Sequence, residues 1–250
     1  DYMKKLLITL SIGALLASTN LYAGAESGGG GGVVFLGETP VLMDYFTILD
    51  DANNIPSSDK GQPVLKDSLE VLITSENESN IRLNFKAFDK AFDVLDRWSS
   101  KSSGIISTMV RIGMESPVKW SFVDHQLVAP PFFIPKAMPE GLKTKVAAFY
   151  SNQMGNTKVS INKTLWNQLT LNDQTGLLIH EALRQTQIGM KNQFDDESLQ
   201  RATAIYLLCN PSDRLNYYLF YVLSNNASSA DSIYGPFYSF IKNECRRIDG

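Results

Sequence analysis

The stretch Thr175-Gly-Leu-Leu-Ile-His-Glu-Ala-Leu-Arg-Gln-Thr-Gln187 decides how the rest of the chain is read. Asn172 and Asp173 just before it can accept hydrogen bonds from the free N–H groups of a helix start, and Leu177, Leu178, Leu183 and Ile188 give the helix apolar contacts. The stretch therefore predicts a buried helix. His180 and Glu181 are adjacent, and Arg184, four residues beyond His180, shares its helical face.

This pattern is one substitution away from H-E-x-x-H, in which two imidazoles one turn apart hold a Zn²⁺ and the Glu takes a proton from its water. Arg184 stands at the second imidazole position. A guanidinium has no lone pair to donate. One positive charge against two, about 4 Å apart at an effective dielectric of about 20, opposes binding by roughly 8 kcal/mol. A standard zinc site requires Arg184 to swing away.

The order of elements around this helix resembles the core of the zincin metallopeptidases. A strand, Val159-Ser-Ile-Asn162, precedes a short helix around Trp166, a polar cap, and Leu178-Ile-His-Glu-Ala-Leu-Arg184. In zincins an edge strand runs ahead of the active-site helix, and a later helix supplies the third ligand. The resemblance covers residues 157–208. It implies His180 as first ligand, Glu181 as general base, and Asp196 or Glu197 as a candidate acidic ligand, and it fails at Arg184. The chain is also similar to a group of secreted Gram-negative proteins with a glycine-rich mature start and a His-Glu-Ala helix followed by an acidic-Ser-x-x-Arg segment. Here these are Gly31-Gly-Val-Val-Phe35 and Glu197-Ser-Leu-Gln-Arg201. No activity comes with that group.

Two functional expectations follow. In one, the scaffold is non-catalytic and carries no cofactor. Arg184 pairs with Glu181, Asp196 or Glu197, and the protein binds a peptide or cell-envelope ligand by strand addition along 159–162. In the other, a peptidase-like zinc hydrolase, His180, Glu197 and His125 hold the metal. Glu181 then works as the base, and Arg184 turns outward to steady an oxyanion. His125 and His180 are the two histidines of the sequence. Serine chemistry has little support: there is no G-x-S-x-G, and Ser116-Pro-Val-Lys119 lacks the partner motifs of S-x-x-K enzymes.

Toward the N-terminus, Met3-Lys-Lys-Leu-Leu-Ile-Thr-Leu-Ser-Ile-Gly-Ala-Leu-Leu-Ala17 has a basic start and an apolar run short for a membrane span, and Ala23-Gly-Ala25 fits a cleavage site. Residues 1–25 read as a signal peptide removed before Glu26, giving a soluble periplasmic or extracellular protein with no integral membrane segment. Removing Lys4, Lys5 and Asp1 from the 23 basic and 26 acidic side chains leaves 21 and 25, a mild acidity with no basic patch for nucleic acid. In an oxidising compartment Cys209 and Cys245, the two cysteines, are expected to pair.

The fold class expected is α+β, mainly helical with a small antiparallel sheet and a zincin-like C-terminal half. Residues 26–63 form a glycine-rich leader, short strands at 33–36 and 40–42, a helical segment at 44–50 and a surface loop. Residues 64–250 form one domain. Helices are predicted at 64–74 and 105–114 and, from Ile81, Phe85, Phe88, Phe92, Leu95 and Trp98, over 81–98. Strands are predicted at 120–128, 145–150 and 158–162, the last two as an antiparallel pair, with an irregular proline connection between the first two. Downstream of 187, helices capped by Asp195 or Asp196 and by Asp213 precede a helical aromatic tail.

Overall fold

The structure, a computed structural model, describes residues 31–49, 55, 86–100, 107–108, 110–111, 114, 119–128, 134–135, 138–153, 156–190 and 196–246. The expected signal peptide, the helix at 64–74, the start of the helix at 81–98, most of the proline connection and Asp195 lie outside the described residues. The class is α+β, with two small sheets among seven α-helices of the described residues.

The chain enters as a hairpin. Strand β1, Gly32–Leu36, pairs antiparallel with β2, Thr39–Leu42, across a two-residue turn at Gly37 and Glu38. Gly37 has φ 65°, a region that side chains with a Cβ rarely adopt. A 3₁₀ turn, Met43–Thr47, follows directly, so the expected helix at 44–50 is shorter and tighter than predicted. Helix α1, Lys86–Ser99, buries Ala87, Phe88, Ala91, Val94, Leu95 and Trp98 along one stripe, at the spacing the sequence announced. Ser107, Thr108, Val110, Arg111 and Met114 are helical, within the stretch predicted for a second apolar helix.

Strands β3 (Lys119–Val123), β4 (Thr144–Val146), β5 (Ala148–Gln153) and β6 (Asn156–Asn162) come next. The first sheet has order β2-β1-β4 and is antiparallel; the second has order β3-β6-β5 and is mixed, because β3 runs parallel to β6. Two expectations need correction here. The strand predicted at 145–150 is divided at Ala147: Ala147 and Ala148 both donate to the Gly31 carbonyl, at 2.7 and 3.2 Å, while Asn162 N donates to Ala147 O at 2.8 Å. Ala147 therefore joins the sheets, β4 serving one and β5 the other. Further, β6 is the central strand of its sheet, hydrogen-bonded on both sides, so 159–162 is no edge and cannot accept an added strand.

Six helices follow among the described residues: α2 (Lys163–Trp166), α3 (Leu171–Met190), α4 (Asp196–Leu208), α5 (Asp213–Ser224), α6 (Ala227–Tyr234) and α7 (Phe237–Glu244). Helix α3 is buried along residues 173–184 without a break, surrounded by α1, α4, β5 and β2. Its cap is Thr170 rather than Asn172 or Asp173. Asp173 N donates to Thr170 Oγ1 at 3.1 Å, and the Asp173 carboxylate accepts from Thr170 N and Oγ1 in return, as in a capping box. The other Asp173 oxygen accepts from Leu42 N at 2.9 Å, tying the end of β2 to the helix start. Ser212, not Asp213, caps α5 through Leu215 N. The aromatic tail is two helices, because Gly235 (φ 83°) and Pro236 interrupt it. No helix of the described residues is long and apolar enough to cross a membrane.

Cys209, at the end of α4, and Cys245, just past α7, form a disulfide with Cα atoms 5.0 Å apart. It closes a loop over a sequence separation of 36 residues. A Cys209→Ser, Cys245→Ser variant is expected to lose about 4 kcal/mol of stability in the chain-entropy model, checked by urea unfolding; an unchanged midpoint would show that the tail is held by packing alone.

Candidate functional site

The His-Glu-x-x-Arg face of α3 does not open to solvent. His180 is 0%, Glu181 1% and Arg184 3% exposed. They meet the 3₁₀ turn, the start of α4, and the joint between β1 and β5. Asp44, on the 3₁₀ turn and itself 0% exposed, places Oδ2 2.6 Å from His180 Nδ1. Thr203 Oγ1 on α4 lies 3.4 Å from the same nitrogen. Arg184 donates from NH2 to Asp196 Oδ1 at 2.7 Å, on the first turn of α4, where a carboxylate also complements the helix dipole.

The third member, Glu181, lies under Gly31. A Cβ added to Gly31 would fall 2.7 Å from Glu181 Oε1 and 2.8 Å from the Ala148 carbonyl oxygen. Gly31 is the glycine that receives both Ala147 and Ala148 N–H groups, so this end of the glycine-rich run is a close backbone approach rather than leader. Gly176, one turn before His180, is similar: an added Cβ would lie 2.6 Å from Leu207 Cδ1 and also crowd the Leu42 side chain.

Burial sets the electrostatics. It raises the Asp44 carboxyl pKa above its ordinary value, against the pull of His180, Thr203 and Arg184. It raises that of Glu181 as well, with His180 and Arg184 opposing and the charges of Asp44 and Asp196 adding to the rise. Tyr150 on β5 is pushed up to about 12, by burial first and then by the Glu181 charge. Among the described residues, Asp44 Oδ1, His180 Nε2, Glu181 Oε2, Arg184 Nε and Tyr150 OH are buried without a hydrogen-bond partner. The cluster is thus only half satisfied by protein groups, an expensive arrangement in a low-dielectric interior.

The expected ligand set does not assemble. His125 is exposed on the loop after β3, and its backbone carbonyl accepts from Asn162 Nδ2 at 2.8 Å. Glu197 is turned to the other side of α4, where it accepts from Arg201 NH2 at 2.5 Å. Of the residues singled out in the sequence, the fold brings together His180, Glu181, Arg184 and Asp196. Among the described residues no group of three or more His, Cys, Asp and Glu side chains is placed to hold a metal ion. Asp44 was missed. The signal was available: it is a lone acid inside the apolar run Val41-Leu-Met-Asp-Tyr-Phe46, and a charge in such a run is either a helix start or a buried partner.

Arg201, the basic residue of the acidic-Ser-x-x-Arg segment, builds a second polar centre. It donates to Asp231 Oδ1 and Oδ2 at 2.6 and 3.1 Å and to the Tyr218 hydroxyl at 3.1 Å, in addition to Glu197, and its guanidinium lies 4.4 Å from the Phe237 ring centroid. Burial disfavours its charge, but the bonds to Asp231 and Tyr218 and the Glu197 carboxylate outweigh this and raise its pKa further. One side chain thereby holds α4, α5, α6 and α7 together. No protein-family model, curated protein or solved structure matches the chain.

Because the folded pKa values of Glu181 and Asp44 lie above their unfolded values of 4.5 and 3.8, these groups contribute stability below about pH 4 that is lost as pH rises through the folded values. Glu181→Gln removes one of the two. Its melting temperature relative to the parent is expected to increase as pH rises above the unfolded value of 4.5 toward the raised folded value, read by scanning calorimetry; a difference independent of pH would contradict the buried, raised carboxyl.

Proposed function

We propose that this is an exported, non-catalytic binding protein whose His-Glu-x-x-Arg helix is a core element rather than a reaction centre, and whose ligand is a peptide or a cell-envelope fragment. The observation that supports this best is the Arg184–Asp196 pair at 2.7 Å with Arg184 3% exposed. A permanent cation, held by hydrogen bond inside the protein, occupies the side of α3 where a zinc peptidase needs its second imidazole. Two open clefts on the described surface, of about 300 and 460 Å³, are lined by neither His180, Glu181 nor Arg184. Binding function is therefore better sought away from the helix.

A specific observation favours the second reading, a zinc-dependent hydrolase. His180 gives Nδ1 to a carboxylate and leaves Nε2 buried and without a protein partner, which is how zinc-bound histidines are commonly oriented by their outer shell. Against it stand the charge of Arg184 and the separation of His125 and Glu197 from the cluster.

Zinc content separates the two readings. Untagged protein prepared from the periplasm and measured by mass spectrometry is expected to carry far less than one zinc per chain, with no change in His180→Ala. Stoichiometric zinc that disappears in His180→Ala would overturn the non-catalytic reading.

A further inference from the structure

Away from the buried cluster, one face of the β2-β1-β4 sheet gathers an unusual group. Phe35 on β1 is half-buried, and two ammonium groups lie over its ring: Lys143 Nζ at 5.7 Å and Lys145 Nζ at 5.4 Å from the centroid. The register explains why. Val33 is opposite Lys145, and Phe35 N donates to Lys143 O at 2.9 Å, so the two lysines and the ring point from the same side of the pleat. Among the described residues neither lysine has an ion-pair partner. Two like charges are thus held against one aromatic ring on a chain that is otherwise net acidic.

Each lysine borders a cleft, and Phe35 forms the wall between them. The first, about 300 Å³, lies where the two sheets join, lined by Lys145, Val146 and Leu165 beside Phe35, with Gln126 and Gln168 also among its lining residues. Among the described residues that line it, none is acidic. The second, about 460 Å³, is bordered by Lys143, Leu142 and Glu38. The first cleft combines an apolar wall, amides that both donate and accept, and an unpaired half-buried cation; its volume is at the lower end for small-ligand sites.

We infer that this cleft binds a short acidic peptide, an apolar side chain resting on Phe35, Val146 and Leu165 and a carboxylate meeting Lys145, with Lys143 adding to the local positive potential. The inference rests on the ligand-binding reading above and gives that ligand its chemistry. A peptide is favoured over a bare anion because the apolar wall and the paired amides are wasted on an inorganic ion. Lysine provides a point charge suited to a carboxylate of variable orientation, without the fork that selects planar bidentate groups.

The test is isothermal titration calorimetry of the full chain with N-acetyl-Leu-Glu, its neutral isostere N-acetyl-Leu-Gln amide, and inorganic phosphate. The diacid is expected to bind saturably, and the neutral isostere, which lacks both carboxylates, at least about tenfold more weakly through loss of the charge-assisted contact to Lys145. Lys145→Gln is expected to shrink that difference severalfold, the remainder coming from Lys143. Phe35→Leu, which keeps an apolar wall but loses the ring, should weaken both dipeptides. Circular dichroism melting of each variant confirms that it is folded. Absence of saturable diacid binding, equal affinity for diacid and isostere, or displacement of the diacid by phosphate at equal concentration would each overturn the inference. Zinc content is read separately, so a zinc-bearing protein that binds the diacid defeats only the non-catalytic reading, and a zinc-free protein that ignores it defeats only the cleft.

Discussion

The contact between Asp44 and His180 is the constraint around which the rest of the molecule is arranged. Its two atoms are 2.6 Å apart, 136 positions apart in sequence, and wholly removed from water. A buried carboxylate facing a buried imidazole is costly unless both are positioned by their surroundings. That positioning comes from the elements on either side. The Leu42 N–H bound to Asp173 fixes the hairpin to the start of α3, and Thr47 Oγ1 reaches the Gln200 carbonyl of α4 at 3.5 Å. Gly31 and Gly176 allow backbone to approach where a Cβ would not fit. The N-terminal hairpin is thereby part of the same core as the C-terminal helices, and not an appendage to them.

A second centre, at Arg201, governs the C-terminal end in a different way. Its carboxylate partners Asp231 and Glu197 are partly solvated, Tyr218 is buried, and the guanidinium is stacked on Phe237, so hydrogen bonds and ring contact offset its desolvation. Tyr218 continues the contact into the aromatic tail, stacking on Phe240 with ring centroids 4.8 Å apart. The disulfide then closes the end of that tail onto α4, beside the Asn210 N–H bonded to Arg246 O at 2.9 Å. Helix α4 thus carries two arginine-dependent junctions on opposite sides: Asp196 receives Arg184 of α3, and Arg201 gathers the three helices that follow.

The parts of the fold legible in the sequence were those set by local pattern. The stripe of α1, the hairpin at β1 and β2, the antiparallel pairing of β5 with β6 and the burial of α3 follow from period and turn chemistry alone. The cysteine pair was legible from the presence of two cysteines in the sequence. What could not be read depended on contacts between distant segments. Nothing near Ala147 signals that a continuous β-like run will change sheets; the cause is the Gly31 carbonyl, more than a hundred residues earlier. The central position of β6 likewise depends on parallel pairing with β3, for which sequence carries no local mark. At the site, His180, Glu181 and Arg184 were visible as a pattern and Asp196 as an eligible partner. Asp44 carried only the mark of a lone acid in an apolar run; that its partner is an imidazole on another element has no local signal. His125 and Glu197, candidate ligands under the zinc reading alone, lie on an exposed loop and beside Arg201; residue type and order do not say which side of a loop or helix a side chain takes.

On the proposed reading, the His-Glu-x-x-Arg helix is held in the core by its structural partners, and recognition falls to a separate, half-buried, cationic and aromatic surface. The most direct measurement of this account is a double-mutant cycle for unfolding on Asp44→Asn and His180→Gln, performed with and without a metal chelator. The account predicts a coupling of about 1–3 kcal/mol between the two positions that the chelator leaves unchanged. Additive effects of the two substitutions, or a coupling that vanishes when metal is removed, would contradict it.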